Sequence, residues 1–91
     1  MKNTAKHVIF KGTVQGVGFR FTAMRIAQRY ELTGYVKNLP SGEVEMLAQG
    51  HPEDIKDALQ DISESFGANI RDKQITSQPV NPRYHSFEIA Y

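Results

Sequence analysis

Apolar residues in this chain recur at two spacings, every second residue and every third or fourth, and the order in which the two spacings appear leaves few folds open. His7-Val8-Ile9-Phe10-Lys11 alternates and reads as a strand with Val8 and Phe10 on one face. Phe19, Ala23, Ile26, Ala27 and Tyr30 fall at helical spacing in a helix over residues 20–30, with Arg25, Gln28 and Arg29 turned to water. Residues 34–39 and 43–48 are strands joined by the turn Pro40-Ser41-Gly42. In the second of these, Val44, Met46 and Ala48 alternate with Glu43, Glu45 and Gln49, which gives the sheet one buried and one wetter face. A second helix starts near Pro52, with Glu53 and Asp54 at the positive end of its dipole. Its stripe is Ile55, Leu59, Ile62 and Phe66, and Gly67 is its stop. A fourth strand lies within 68–78, weakened by Arg71-Asp72-Lys73, and residues 86–90 form a short last strand. The order β-α-β-β-α-β plus a terminal strand predicts a ferredoxin-like α+β sandwich, two helices on one face of an antiparallel sheet.

One such domain accounts for residues 1–91, with no repeat or linker to divide it. The charge is close to balanced, 11 basic against 10 acidic residues, so neither nucleic acid nor an anionic membrane is expected as a partner. An anion site would have to be local. Cysteine is absent, which removes disulfides, thiolate nucleophiles and cysteine-held metals. A domain this small without such staples, and without an apolar leader after Met1-Lys2-Asn3, is expected in the cytoplasm. No stretch reaches the ~20 apolar residues needed to span a bilayer.

The local anion site has a candidate. Gly12, Gly16 and Gly18 fall between the first strand and the first helix, in Gly12-Thr13-Val14-Gln15-Gly16-Val17-Gly18-Phe19-Arg20. Backbone N–H groups at a helix start have no intrahelical partner, and glycines let the chain curl so that several converge on a phosphate-sized anion. Arg20 at the helix entrance could bind two phosphate oxygens with its planar fork. By spacing alone the plainer reading is favoured, that the glycines merely turn the corner and Arg20 is solvated, since they match neither the dinucleotide fingerprint nor a nucleotide P-loop. His7, His51 and His85 are scattered without metal-ligand spacing and read as surface or capping residues. Glu43 and Glu45 read as a solvated sheet face. No serine sits on a nucleophile elbow. Chemistry here should rest on charge stabilisation and positioning, with little side-chain proton transfer.

The same loop, followed by Leu32-Thr33-Gly34-Tyr35-Val36-Lys37-Asn38, resembles the two signatures of the acylphosphatase family, G-x-V-Q-G-V-G-F-R and G-[aromatic]-V-x-N. The resemblance extends over essentially the whole chain to the closing Phe87-x-Ile89. It implies a cofactor-free, metal-independent hydrolase that splits acyl phosphates into a carboxylate and inorganic phosphate, the latter being both product and inhibitor. The loop residues Gln15, Gly16, Val17, Gly18, Phe19 and Arg20 would then bind the substrate phosphate. Arg20 and Asn38 would be catalytic, Asn38 by orienting the attacking water. A monomer is expected. Departures are Tyr30-Glu31 for a common Leu-Gly, Tyr35 for a frequent Trp, Lys37 for a frequent Arg, and the polar Arg71-Asp72-Lys73, expected to leave one sheet edge loosely paired. The alternative is a non-catalytic phosphate- or anion-binding relative of the same fold, or a module related to those that begin carbamoyl-transferring hydrogenase maturation proteins. A chain of one domain favours the stand-alone enzyme. An RNA-recognition module shares the topology but needs aromatics on central strands where this chain has Glu43, Glu45 and Met46.

Overall fold

The computed structural model describes residues 2–91; Met1, included in the expected domain, lies outside the described residues. Strand β1 spans Thr4–Gly12, helix α1 Phe19–Arg29, β2 Thr33–Asn38, β3 Val44–Gly50, α2 Pro52–Phe66, β4 Ile70–Gln78 and β5 Phe87–Ala90. The strands stand in the order β4-β1-β3-β2-β5. The expected sandwich is present, with one difference. β5 pairs with β2 in parallel, so the sheet is mixed at that edge instead of antiparallel throughout.

The stripes read from the sequence are the ones buried. Phe19, Ala23, Ile26 and Ala27 of α1 and Ile55, Ala58, Leu59 and Ile62 of α2 pack on Val8, Phe10, Val36, Val44, Met46 and Ala48 of the sheet. Tyr30 and Phe66, the last members of each stripe, are half-buried at the core's edge. Phe19 meets Phe10 edge-on with ring centroids 4.9 Å apart, and Phe66 at 4.5 Å. Each fully buried ring of this kind contributes roughly 1.5–3 kcal/mol by leaving water. His51 caps α2, its Nδ1 accepting from the Glu53 N–H at 3.2 Å.

Three expectations about the sheet need correction. The β4 edge is not loosely paired: it runs beside β1 from Ala5↔Gln78 to Lys11↔Asp72, shifting register only at Gly12. Its polarity reflects an edge strand whose residues mostly face water while β1 pairs one side of its backbone. The far face of the sheet is also drier than its alternation suggested. Leu47 and Gln49 are buried there, and the Gln49 amide donates to Thr33 Oγ1 and the Asn81 carbonyl while accepting from the Asn81 N–H, which ties the loop after β4 down over the sheet. Glu43, expected on the strand, falls just before β3 at the turn, while Glu45 stays on it beside His7 with Nε2 and Oε2 2.8 Å apart.

Gly34 of β2 lies close against the backbone of β3. Its φ is +132°, and a methyl group there would overlap the Leu47 carbonyl. Gly34→Ala should therefore destabilise the fold by on the order of 3 kcal/mol or more, far beyond an ordinary surface change. The check is a denaturant midpoint for both proteins. A loss under about 1 kcal/mol would show that the two strands can part locally.

Candidate functional site

Topology brings the two sequence signatures together. β1 and β2 are both antiparallel to β3, which lies between them, so they are parallel to each other. Their C-terminal ends, Gly12 and Asn38, therefore emerge on the same edge of the sheet. β5, parallel to β2, delivers Ile89 and Tyr91 to that edge as well. α1 starts there because the loop from β1 turns straight into it.

The loop is fixed at its start and middle. The Thr13 N–H donates to the Asn69 carbonyl at 2.9 Å, the Asn69 amide donates back to the Thr13 carbonyl at 3.2 Å, and Val14 is fully buried. Gln15 turns its side chain away from the loop, its Nε2 donating to the Leu39 carbonyl at 2.8 Å and the Glu43 carbonyl at 2.9 Å. From there the chain is exposed through Gly16, Val17 and Gly18. Gly16 and Gly18 have φ of +78° and +76°, left-handed values that a β-branched residue would resist, and these give the loop its curl. Gly18 is the N-cap of α1. Among the described residues no side chain caps that end, and its first turn holds no acidic residue. The first N–H groups of α1 consequently have no partner within the helix, and the end of its dipole is uncompensated by an anion.

A cleft of about 180 Å³ opens at this point, lined by Val14, Gly16, Gly18, Phe19, Arg20, Phe21, Asn38 and Ile89. It thus gathers Gly16, Gly18, Phe19, Arg20 and Asn38 from the expected set. Val17 lies outside the lining and is 40% exposed. Gln15 is also outside it, committed to the hairpin between β2 and β3. The Arg20 guanidinium carbon lies 5.2 Å from the centroid of the Tyr91 ring, a cation–π contact on the order of 0.5–1 kcal/mol when exposed. Asn38 Oδ1 is buried and accepts no hydrogen bond from any described residue. A buried amide oxygen left this way costs roughly 1–3 kcal/mol, so it stands out in a small domain.

Val14, Phe21 and Ile89 line the cleft without having been in the expected set. The place of Ile89 there, and of Tyr91 beside Arg20, depends on β5 docking parallel to β2, which no local pattern encodes. The Gln15 hold on the hairpin is likewise invisible without the fold. Among the described residues no three His, Asp or Glu side chains converge as a metal-binding group. Two tyrosines have displaced ionisation, and neither lines the cleft. Burial, then the charge of Glu45, pushes Tyr35 up to about 12, and the hydrogen bond to Asp61 raises Tyr30. No helix of the described residues is long and apolar enough to cross a membrane.

A family model described as acylphosphatase matches residues 6–89. The acylphosphatase of Geobacillus thermodenitrificans is 41% identical over 86 residues, covering 93% of this chain and 92% of that protein. The crystal structure of acylphosphatase from Bacillus subtilis superposes with a TM-score of 0.89 at 31% identity, covering 97% of this chain and 99% of its own. Full-length HypF, solved in a phosphate- and nucleotide-bound form, contains a segment similar at TM-score 0.88 and 32% identity, which is 12% of that chain and covers 99% of this one.

Proposed function

Since this chain belongs to the acylphosphatase family, we propose that it hydrolyses acyl phosphates by in-line attack of a water held by Asn38 on a phosphoryl group held by the glycine loop and Arg20. The observation that carries the reading is a juxtaposition. An uncapped helix start with its cation and Asn38, whose amide oxygen has no partner among the described residues, line one small cleft.

Each part has a chemical task. The free N–H groups of residues 15–20 and the Arg20 fork meet the phosphoryl oxygens and neutralise charge that shifts among them during transfer. With the Asn38 amide turned into the cleft, water donates a hydrogen bond to its Oδ1, which fixes the water's lone pair toward phosphorus. The new bond forms from the water oxygen to phosphorus as the bond from phosphorus to the acyl oxygen breaks, and the electron pair leaves on a carboxylate. An amide is no base at neutral pH, so the water proton passes to a phosphoryl oxygen. A carboxylate is already a good leaving group, so no side chain need protonate it. Preorganised donors are worth ~3–4 kcal/mol of barrier each, which lets several amides and one Arg carry the reaction with no metal or cofactor. Phe21 and Ile89 give the cleft an apolar wall on which the acyl group can lie. The cysteine-free composition suits the reducing cytoplasm.

The test is phosphate release from benzoyl phosphate in excess chelator. Turnover should be undiminished, and inorganic phosphate should inhibit competitively by occupying the same cradle. Activity lost on chelation and restored by one divalent ion would sink the metal-free mechanism. Tight phosphate binding without any turnover would identify an anion-binding relative instead.

A further inference from the structure

Gln15 lies in the loop, and its side chain reaches the neighbouring hairpin. Its Nε2 carries two hydrogens, and both are used, one on the Leu39 carbonyl and one on the Glu43 carbonyl. Those two carbonyls belong to the pair that closes the turn between β2 and β3. The Leu39 N–H donates to the Glu43 carbonyl at 2.8 Å and the Gly42 N–H to the Leu39 carbonyl at 3.1 Å. Asn38 immediately precedes Leu39 and is paired with Val44, the residue after Glu43. One side chain of the phosphate loop therefore pins both arms of the hairpin, right beside the Asn38–Val44 pair on its turn side.

We propose that Gln15 is a positioning residue that locks Asn38 to the phosphate loop, so that the water site and the phosphate site keep a fixed separation; this rests on the roles given above to Asn38 and the loop. The physical need is plain. In-line attack tolerates little error between the water oxygen and phosphorus, and the two partners are carried by the ends of different strands. The sheet itself fixes Asn38 only at its backbone pairing with Val44, on the last pair of the β2–β3 ladder, where strands fray first. A donor with a single hydrogen could hold one carbonyl, and a charged one would be expensive beside this partly buried turn. A glutamine amide supplies both donors without charge.

The experiment uses the full-length chain with Gln15→Met, close in shape but unable to donate, and Gln15→Glu, whose carboxylate would face two carbonyl oxygens. Both should lower kcat for benzoyl phosphate by roughly tenfold to a hundredfold, the scale of a displaced reacting group, while inhibition by inorganic phosphate stays within about twofold. As pH falls, Gln15→Glu should recover part of its deficit relative to the wild-type chain, because the protonated carboxyl regains one donor. A merely structural residue would not give that profile. In an Asn38→Ala background, Gln15→Met should cost almost nothing further, since both changes remove the same placement. Full additivity in that cycle would overturn the proposal, as would a loss of phosphate inhibition, which would put the side chain in the cradle itself. Hydrogen exchange at the Leu39 and Gly42 amides reads the lock without turnover, and it should quicken about tenfold in Gln15→Met. Unchanged exchange would overturn the lock even in an active enzyme. An inactive wild-type chain would overturn the activity reading instead.

Discussion

Arg20→Gln is expected to reduce hydrolysis of benzoyl phosphate by roughly a thousandfold, at the upper end of what removing one preorganised donor costs, and to weaken inhibition by inorganic phosphate as well. Both effects follow from one position. Arg20 is the second residue of α1 and lines the cleft beside Gly16 and Gly18, and it is the one cationic side chain in that lining. It would meet the phosphoryl group in the ground state and hold it as charge shifts, so binding and turnover must fall together. Gln keeps a hydrogen-bonding end but loses the charge and the fork. Arg20→Lys keeps the charge and should rescue little, because a point charge cannot make the two parallel bonds of a guanidinium. The variant should stay folded, since Arg20 is outside the core and its contact with Tyr91 is worth under about 1 kcal/mol. A variant with near-normal kcat, or one whose phosphate inhibition is intact, would remove Arg20 from the role assigned to it.

How far these positions could be read in advance depended on the kind of signal each carried. The two helical stripes were legible because burial imposes a period that survives in the sequence, and Phe19, Ile26, Ile55 and Ile62 all lie where that period put them. β1 begins at Thr4, earlier than Val8 and Phe10 suggested, because Thr4-Ala5-Lys6 owes its extended form to pairing with Gly50, Gln49 and Ala48 rather than to its own alternation. β4 was nearly hidden for the same reason. Arg71, Asp72 and Gln74 face solvent at the sheet's edge, and the strand is held by pairing with β1 along one side. The direction of β5 leaves no local trace at all, and with it went the cleft position of Ile89 and the contact of Tyr91 with Arg20. Within the site, glycines and an arginine at a strand-to-helix turn carry their own chemical meaning. Gln15 and Gln49 do not, because an amide's partners are set by which backbone groups the fold leaves within reach.

Asn38→Ala should separate from Arg20→Gln by its pattern rather than its size. Asn38 ends β2 and lines the cleft together with the helix start, and its buried Oδ1 has no partner among the described residues. A water hydrogen-bonded there would lie on the attacking side of phosphorus and contribute nothing to holding the phosphoryl oxygens. Removing the amide should therefore cut kcat by about two to three orders of magnitude, the price of losing a preset attack geometry, with phosphate inhibition almost unchanged. Stability should hold or rise slightly, because the substitution deletes a buried acceptor that no described residue satisfies. Asn38→Asp is the sharper companion. Its carboxylate keeps an acceptor for the water but adds a negative charge beside the bound phosphate, so phosphate inhibition should weaken while kcat recovers only partly. The measurements are kcat, KM and the inhibition constant for phosphate on all three proteins, with unfolding midpoints alongside. Near-normal kcat in Asn38→Ala would mean that another group places the water. A main loss in phosphate affinity would mean that Asn38 belongs to the cradle, and the division of labour between the two side chains would have to be redrawn.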